Sequence, residues 1–122
     1  YEGAPLRGAT VIACVDTMAA RKCIWTAVKQ NPTIDLFCEP RTKAAYVEVF
    51  AIDPNDAEDI LRYEETFFDD AVAARQTCGF HGYVVASVRA ANIVAANVST
   101  FWQNGRKVWR IAERCDTLER II

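Results

Sequence analysis

Residues Thr10–Gln30, TVIACVDTMAARKCIWTAVKQ, constrain the fold more than any other stretch of the chain. The segment opens with a β-rich apolar run, Thr10–Val15, and Asp16 stands at its end. A helical pattern follows at once. Ala20, Cys23, Ile24, Ala27 and Val28 recur at i, i+3, i+4, i+7 and i+8, which is one apolar stripe at a 3.6-residue period. Thr17 suits the N-cap, where its hydroxyl can accept from an orphan amide of the first turn. Asn31-Pro32 stops the helix, because a residue before proline is pushed out of the α region. The order strand, acid, helix predicts a βα unit of an α/β sheet. In such sheets ligands gather outside the carboxyl ends of parallel strands, where Asp16 would stand. A carboxylate there can hold a metal–phosphate group. The other reading has the same residue enter the helix with no ligand role, and the strand-end position favours the ligand role.

The rest of the chain fills out an α/β plan. Thr33–Glu39 reads as a short strand, with Ile34, Leu36 and Cys38 on one face and Asp35, Phe37 and Glu39 on the other. Pro40–Lys43 reads as a polar connection. Ala44–Ile52 is rich in β-branched and aromatic residues and predicts a strand with Val47, Val49 and Ala51 on one face. Asp53-Pro54-Asn55-Asp56 predicts a turn that caps a helix over Ala57–Glu65. Glu58 and Asp59 suit the first turn of that helix. Thr66–Thr77 predicts a loop with a helical turn near Ala71–Arg75. Two glycines in Cys78–Gly82 break the pattern, and a long apolar helix follows from Tyr83 to Trp102. Val84, Val88, Ala91, Ala95, Val98 and Trp102 mark its expected buried face, with packing on more than one side. Asn104-Gly105 is a hairpin signal, and Lys107–Ile111 and Leu118–Ile122 are strand candidates.

Composition narrows the function. Hydrophobic residues make up 52% of 122 residues, which excludes a disordered chain and allows one real core. A net charge of −2 carries no basic footprint for nucleic acid. Arg89, Asn92 and Asn97 interrupt the Tyr83–Trp102 run, so it reads as a buried helix and not a membrane span. The five cysteines include no C-x-x-C pair, and His81 is the lone histidine, so no zinc site is expected. Cys14, Cys23 and Cys38 read as small buried hydrophobes in a reducing, cytoplasmic compartment. The acids between Glu58 and Asp70 read as a solvated surface. Nothing at the start reads as a signal peptide, and Tyr1 in place of Met reads as a trimmed or excised piece.

Val11–Val15 followed by Asp16-Thr17-Met18-Ala19-Ala20-Arg21 resembles the apolar strand and D-x-x-x-x-R of ThiF/MoeB-type enzymes, the adenylating relatives of ubiquitin-activating enzymes. Ile34–Thr42, Tyr46–Ile52, the Gln76-Thr77-Cys78-Gly79 loop, the apolar helix after Gly82 and the closing strands resemble later elements of that family, in order. The resemblance implies a partial Rossmann-like mixed sheet flanked by helices, with antiparallel C-terminal strands. It implies that residues 1–122 form one domain, the C-terminal part of a larger adenylating domain. The family's glycine-rich ATP loop has no counterpart among Gly3, Gly8, Gly79, Gly82 and Gly105, so this chain alone is expected to be inactive.

The implied activity is ATP-dependent adenylation of the C-terminal carboxylate of a ubiquitin-like or sulfur-carrier protein. Asp16 matches the acid that binds Mg²⁺ near the phosphates of ATP. Thr17 stands where the family commonly has Asn. Arg21 matches the motif's arginine, with a structural pairing to a carboxylate as the other reading. Cys78 is the candidate thiol for a thioester or acyl-disulfide step, or else inert; His81 lies three residues on. The family's paired zinc cysteines have no match, so no structural zinc is implied. A homodimer is implied, and Phe67, Phe68 and Trp102 would serve core or interface. The alternative is a non-catalytic ThiF-like binding or dimerisation module. An NAD-type oxidoreductase would need the same missing glycine loop.

Overall fold

A computed structural model describes residues 8–72 and 81–115. Four strands form one mixed sheet in the order β1 (Thr10–Ile12), β2 (Leu36–Lys43), β3 (Tyr46–Ile52), β4 (Arg110–Arg114). β1 and β2 run parallel, and β2, β3 and β4 are antiparallel to one another in turn. Helix α1 (Met18–Val28) makes the crossover between the parallel pair, as expected for a βα unit. Helix α2 (Ala57–Glu64), a 3₁₀ turn (Asp70–Val72) and helix α3 (His81–Asn104) complete the order. The architecture is α/β, with helices flanking a mixed sheet.

The sheet separates two cores. On one face Phe37, Phe50 and Ile52 pack under α1 and α2, through Ile24, Trp25, Val28 and Tyr63. Tyr63 stands at the centre, edge-on to Trp25, Phe37, Phe50 and Phe67 at 4.7–5.7 Å. That geometry suits the ring quadrupoles and adds to the burial energy. On the other face Leu36, Cys38, Val47, Val49 and Ala51 meet Ala90, Ile93 and Val94 of α3. The strand-face expectation for Val47, Val49 and Ala51 holds.

Several boundaries differ from expectation. β1 stops at Ile12, although the Ala13 amide still donates to Cys38 O at 2.9 Å. β2 starts later and runs through Pro40 to Lys43, where a connection was expected. Pro40 is tolerated because β1 reaches only as far as Cys38 on that side, so the missing amide has no ladder to serve. The hairpin turn falls on Ala44-Ala45, with Ala44 at φ 52°, so neither residue belongs to β3. Ile34 precedes the strand and packs with Phe37, not with Leu36 and Cys38.

Thr17 caps α1 as expected, accepting from the Ala20 amide at 3.2 Å. The buried stripe, however, is Met18, Arg21, Ile24, Trp25 and Val28, which leaves Cys23 exposed. Cys14 is exposed as well; of the three cysteines read as buried, only Cys38 is. Asp56 caps α2, which ends at Glu64. Asn104-Gly105 ends α3 instead of turning a hairpin. Gly105, at φ 72°, donates to Phe101 O at 2.7 Å, the left-handed cap that glycine accepts without penalty.

α3 corrects the sequence reading most. Its inward residues are Ala86, Ala90, Ile93, Val94 and Asn97. Val84, Val88 and Trp102, expected inside, are 65%, 67% and 53% exposed, and Ala91 and Ala95 are exposed too. One side of α3 lies on the sheet and the other faces out. By length and composition alone this helix could cross a bilayer, but Ile93 and Val94 are buried against the sheet. β4 begins at Arg110, after the Lys107 where a strand was expected to start. Leu118–Ile122 lies outside the described residues.

Candidate functional site

The carboxyl end of β1 is where the fold brings most of the sequence-marked residues together. Ala13–Val15 leave the sheet there, Asp16 and Thr17 follow, and α1 begins at Met18. Asp16 and Thr17 are both exposed. The Asp16 carboxylate makes no hydrogen bond or ion pair among the described residues. Arg21 does not share that exposure. It is buried, its Nη2 donates to Val15 O at 2.8 Å, and its Nε lies against Glu39 Oε1 as an ion pair outside hydrogen-bond geometry. Arg21 thus makes the structural pairing with a carboxylate.

Glu39 is the residue the sequence reading missed. Strand alternation gives it a face and no role, yet its side chain is fully buried beside two arginines and a tyrosine. Arg41 grips it with Nε to Oε1 at 2.8 Å and Nη2 to Oε2 at 2.9 Å. Tyr63 donates its hydroxyl to Oε2 at 2.5 Å. Burial, reinforced by Glu39, pushes the Tyr63 hydroxyl far above its usual range, so Tyr63 remains a donor. For Arg41, burial works against the charge, but the hydrogen bond and charge of Glu39 outweigh it and raise its pKa. Arg41 also donates to Thr66 O at 3.0 Å and Thr66 Oγ1 at 2.9 Å, and stacks 4.5 Å over Phe50. Breaking such a buried pair costs about 3–5 kcal/mol, because an uncompensated charge is left inside. Glu39 follows Cys38, the partner of Ile12, so the cluster lies beneath the loop that carries Asp16. Glu39 and Arg41 stand two apart on one strand face, but the contacts with Arg21 and Tyr63 need α1 and α2 folded onto the sheet.

A second feature closes off the start of α1. Asp70 Oδ1 accepts from the Met18 amide at 2.6 Å, and Oδ2 accepts from the Ala19 amide at 2.9 Å. These amides hold the Asp70 carboxyl below its usual range, with smaller help from Arg21 and Lys22. The helix terminus, with its partial positive charge, is thereby already paired with an anion from the chain itself. A hollow of about 280 Å³ lined by Met18, Ala19, Lys22, Phe68, Asp69 and Asp70 lies there.

Other expected surface acids are also engaged. Asp59 is buried, accepts from the Asp53 amide at 2.9 Å and pairs with Lys107 at 2.5 Å. Glu64 accepts from Lys29 at 2.7 Å and Trp25 Nε1 at 2.9 Å, and these bonds, in that order, lower its pKa. A larger open groove of about 840 Å³ runs between α3 and residues 105–113, bridged by Arg89 and Glu113 at 2.7 and 3.0 Å. It contains none of the candidate site residues Asp16, Thr17 and Arg21.

The residues fit the two expected ligands unequally. Magnesium keeps several waters and needs only one or two protein carboxylates, and Asp16, exposed and without a partner among the described residues, is one carboxylate that could serve it. Among the described residues, no three His, Cys, Asp or Glu side chains converge as a metal cage. A phosphate on the α1 terminus would have to displace Asp70. Cys78 lies outside the described residues, as does the side chain of His81. Phe67 packs against the first core, whereas Phe68 is 42% exposed. No protein-family model matches this chain, and no curated protein matches it either.

Proposed function

We propose that this chain is part of an ATP-dependent adenylyltransferase of ThiF/MoeB type, which activates the C-terminal carboxylate of a ubiquitin-like or sulfur-carrier protein. One observation carries the reading. A parallel β1–α1–β2 unit sets a solvent-facing carboxylate, Asp16, unpaired among the described residues, at the carboxyl end of its first strand, the ligand edge of α/β sheets. In the reaction a carboxylate oxygen of the carrier attacks the α-phosphorus of ATP, the bond to the β-phosphate breaks, and pyrophosphate leaves. Bound magnesium would supply charge neutralisation. Asp16 would hold it, and Arg21 with Glu39 would keep the loop beneath it in place. Such catalysis is positioning and electrostatics, which suits a site with one acid on a rigid βα unit.

The test is ATP–pyrophosphate exchange by the protein in its natural reading frame, with its carrier. Asp16→Asn is expected to lower exchange about 10²-fold, the effect of losing roughly 3 kcal/mol of metal contact. Exchange unchanged by the substitution removes Asp16 from the reaction.

A second reading has its own support. Asp70 occupies the α1 amides and Arg21 is committed to Glu39 and Val15, as suits a binding module of the same fold that performs no chemistry. Complete absence of exchange, with carrier still bound, would favour it.

A further inference from the structure

The three polar residues that interrupt the apolar run of α3, Arg89, Asn92 and Asn97, come together in the fold. All three line the groove of about 840 Å³ between α3 and residues 105–113, where Thr100 and Arg106 join them. The chain closes that groove at both ends. At one end Arg89 of α3 grips Glu113 of β4 with two hydrogen bonds, at 2.7 and 3.0 Å. At the other the backbone itself crosses from α3, which ends at Asn104, to β4, which begins at Arg110. A trough shut at both ends suits a small molecule, because a polymer passing through it needs open ends. The volume falls within the range of roughly 300–1,000 Å³ that small-molecule sites occupy.

The hydrogen bonds already made inside the groove set the chemistry of what fits it. Asn97 is 5% exposed, and its Oδ1 accepts from the Val108 amide at 2.9 Å. Asn92 Oδ1 accepts from Arg89 Nη1 at 3.3 Å. Backbone amides and guanidinium groups only donate, so both side-chain amides are fixed with their oxygens spent. What each has left is N–H. Asn97 Nδ2 reaches Ile93 O at 3.5 Å, the limit of a hydrogen bond, and its second proton has no acceptor among the described residues. Asn92 Nδ2 has none either; it stands about 7.5 Å farther along the helix, too far to share one carboxylate with Asn97. The acceptors are occupied: both Glu113 oxygens face Arg89, and Asp53 Oδ1 accepts from the Asn55 amide at 2.9 Å. Lys107 is matched by Asp59. Arg106 is exposed and is the one cation of the lining without a counter-charge among the described residues. It lies two residues from Val108, the backbone partner of Asn97. The remaining surface is apolar, through Ile93, Phe101, Val108 and Ile111, with Val108 54% exposed.

We infer that this groove binds a small organic acid, a carboxylate carried on an apolar body. Its oxygens accept from Asn97 Nδ2 and the Arg106 guanidinium, and its body lies along Ile93, Phe101 and Ile111. A buried donor without a full complement of acceptors is costly, and an anionic acceptor makes the stronger bond to it. Nothing in this depends on adenylation, so either proposal can fail without the other.

Octanoate is the probe, titrated into the full-length ¹⁵N-labelled protein and followed by amide resonances. The side-chain amide of Asn97 and the backbone amide of Val108 are expected to shift together and saturate, with a dissociation constant between about 10 μM and about 1 mM. Octyltrimethylammonium, the same chain with the opposite charge, should bind at least tenfold more weakly. Polyglutamate, which offers carboxylates on a peptide without the apolar body, should not bind. Asn97→Asp keeps the acceptor for Val108 and replaces the donor with a like charge, so octanoate binding should be lost. Arg106→Glu, at an exposed position, should weaken it about tenfold or more and serves as the test if Asn97→Asp fails to fold. Circular dichroism and thermal melting confirm that each variant is folded. Absence of a saturable shift up to about 10 mM octanoate, shifts centred outside the groove, equal binding of the cation, tighter binding of polyglutamate, or unchanged affinity in Arg106→Glu each overturns the inference.

Discussion

Asp70 reaches back 52 positions to cap a helix it does not belong to. Its charged form is the one that accepts from the Met18 and Ala19 amides, and its folded-state pKa is lowered accordingly. Such a contribution is present above the unfolded pKa and is lost as pH falls through the folded value. Asp70→Ala should therefore melt at a lower temperature than wild type near neutral pH. The gap should close as the pH drops below about 4. Thermal melts from neutral to acid pH measure it, and a gap constant through the acid range would show that the carboxylate charge is not what holds α1. The sequence marks Asp70 only as one of several acids on a solvated stretch. Its partner lies on another element, so no local spacing reveals it. Glu39 was hidden for the same reason: strand alternation puts it with Phe37, but only the arrival of α1 and α2 surrounds it with Arg21 and Tyr63.

Among the elements, α3 separates pattern from burial. A uniformly apolar helix offers more than one stripe at helical spacing, and the sequence reading chose the one that faces outward. The sheet receives the stripe through Ala86, Ala90, Ile93 and Val94, whose two alanines let the helix sit close to the strands. Ile93→Ala should then cost about 2–4 kcal/mol, the loss of a buried side chain plus its cavity. Val88→Ala should cost about 0.5 kcal/mol or less in the monomer. Urea unfolding at a concentration where the chain is monomeric compares the two, and equal costs would contradict the orientation of the helix. The termini were more legible: Thr17 and Asp56 cap α1 and α2 because side-chain oxygens near the first amides act locally. The β2–β3 hairpin was misplaced because its turn residues are alanines, without the Gly, Asn or Asp that announce such turns.

Taken as a whole molecule, the sheet lies between two hydrophobic layers, and Cys38 belongs to the layer beneath α3. Burial pushes its thiol up to about 12, so at neutral pH it is neither accessible nor ionised. Cys14 and Cys23 are exposed. In native protein, a thiol reagent followed by peptide mass spectrometry should find Cys14 and Cys23 modified promptly. Cys38 should react only at the rate of global opening and rise with denaturant as the fold is lost. Modification of Cys38 as fast as Cys14 would mean that α3 does not cover the sheet as described.

The sequence by itself determined the strand–acid–helix beginning, the α/β class and the caps of α1 and α2. Those features follow from backbone periodicity and from groups a few residues apart. Tertiary structure alone decided which stripe of α3 is buried, that Arg21 is spent on Glu39, and that Asp70 closes the start of α1. Each depends on residues distant in the chain meeting across the sheet, and the free energy of a contact belongs to the pair, which neither residue's neighbours in sequence can disclose.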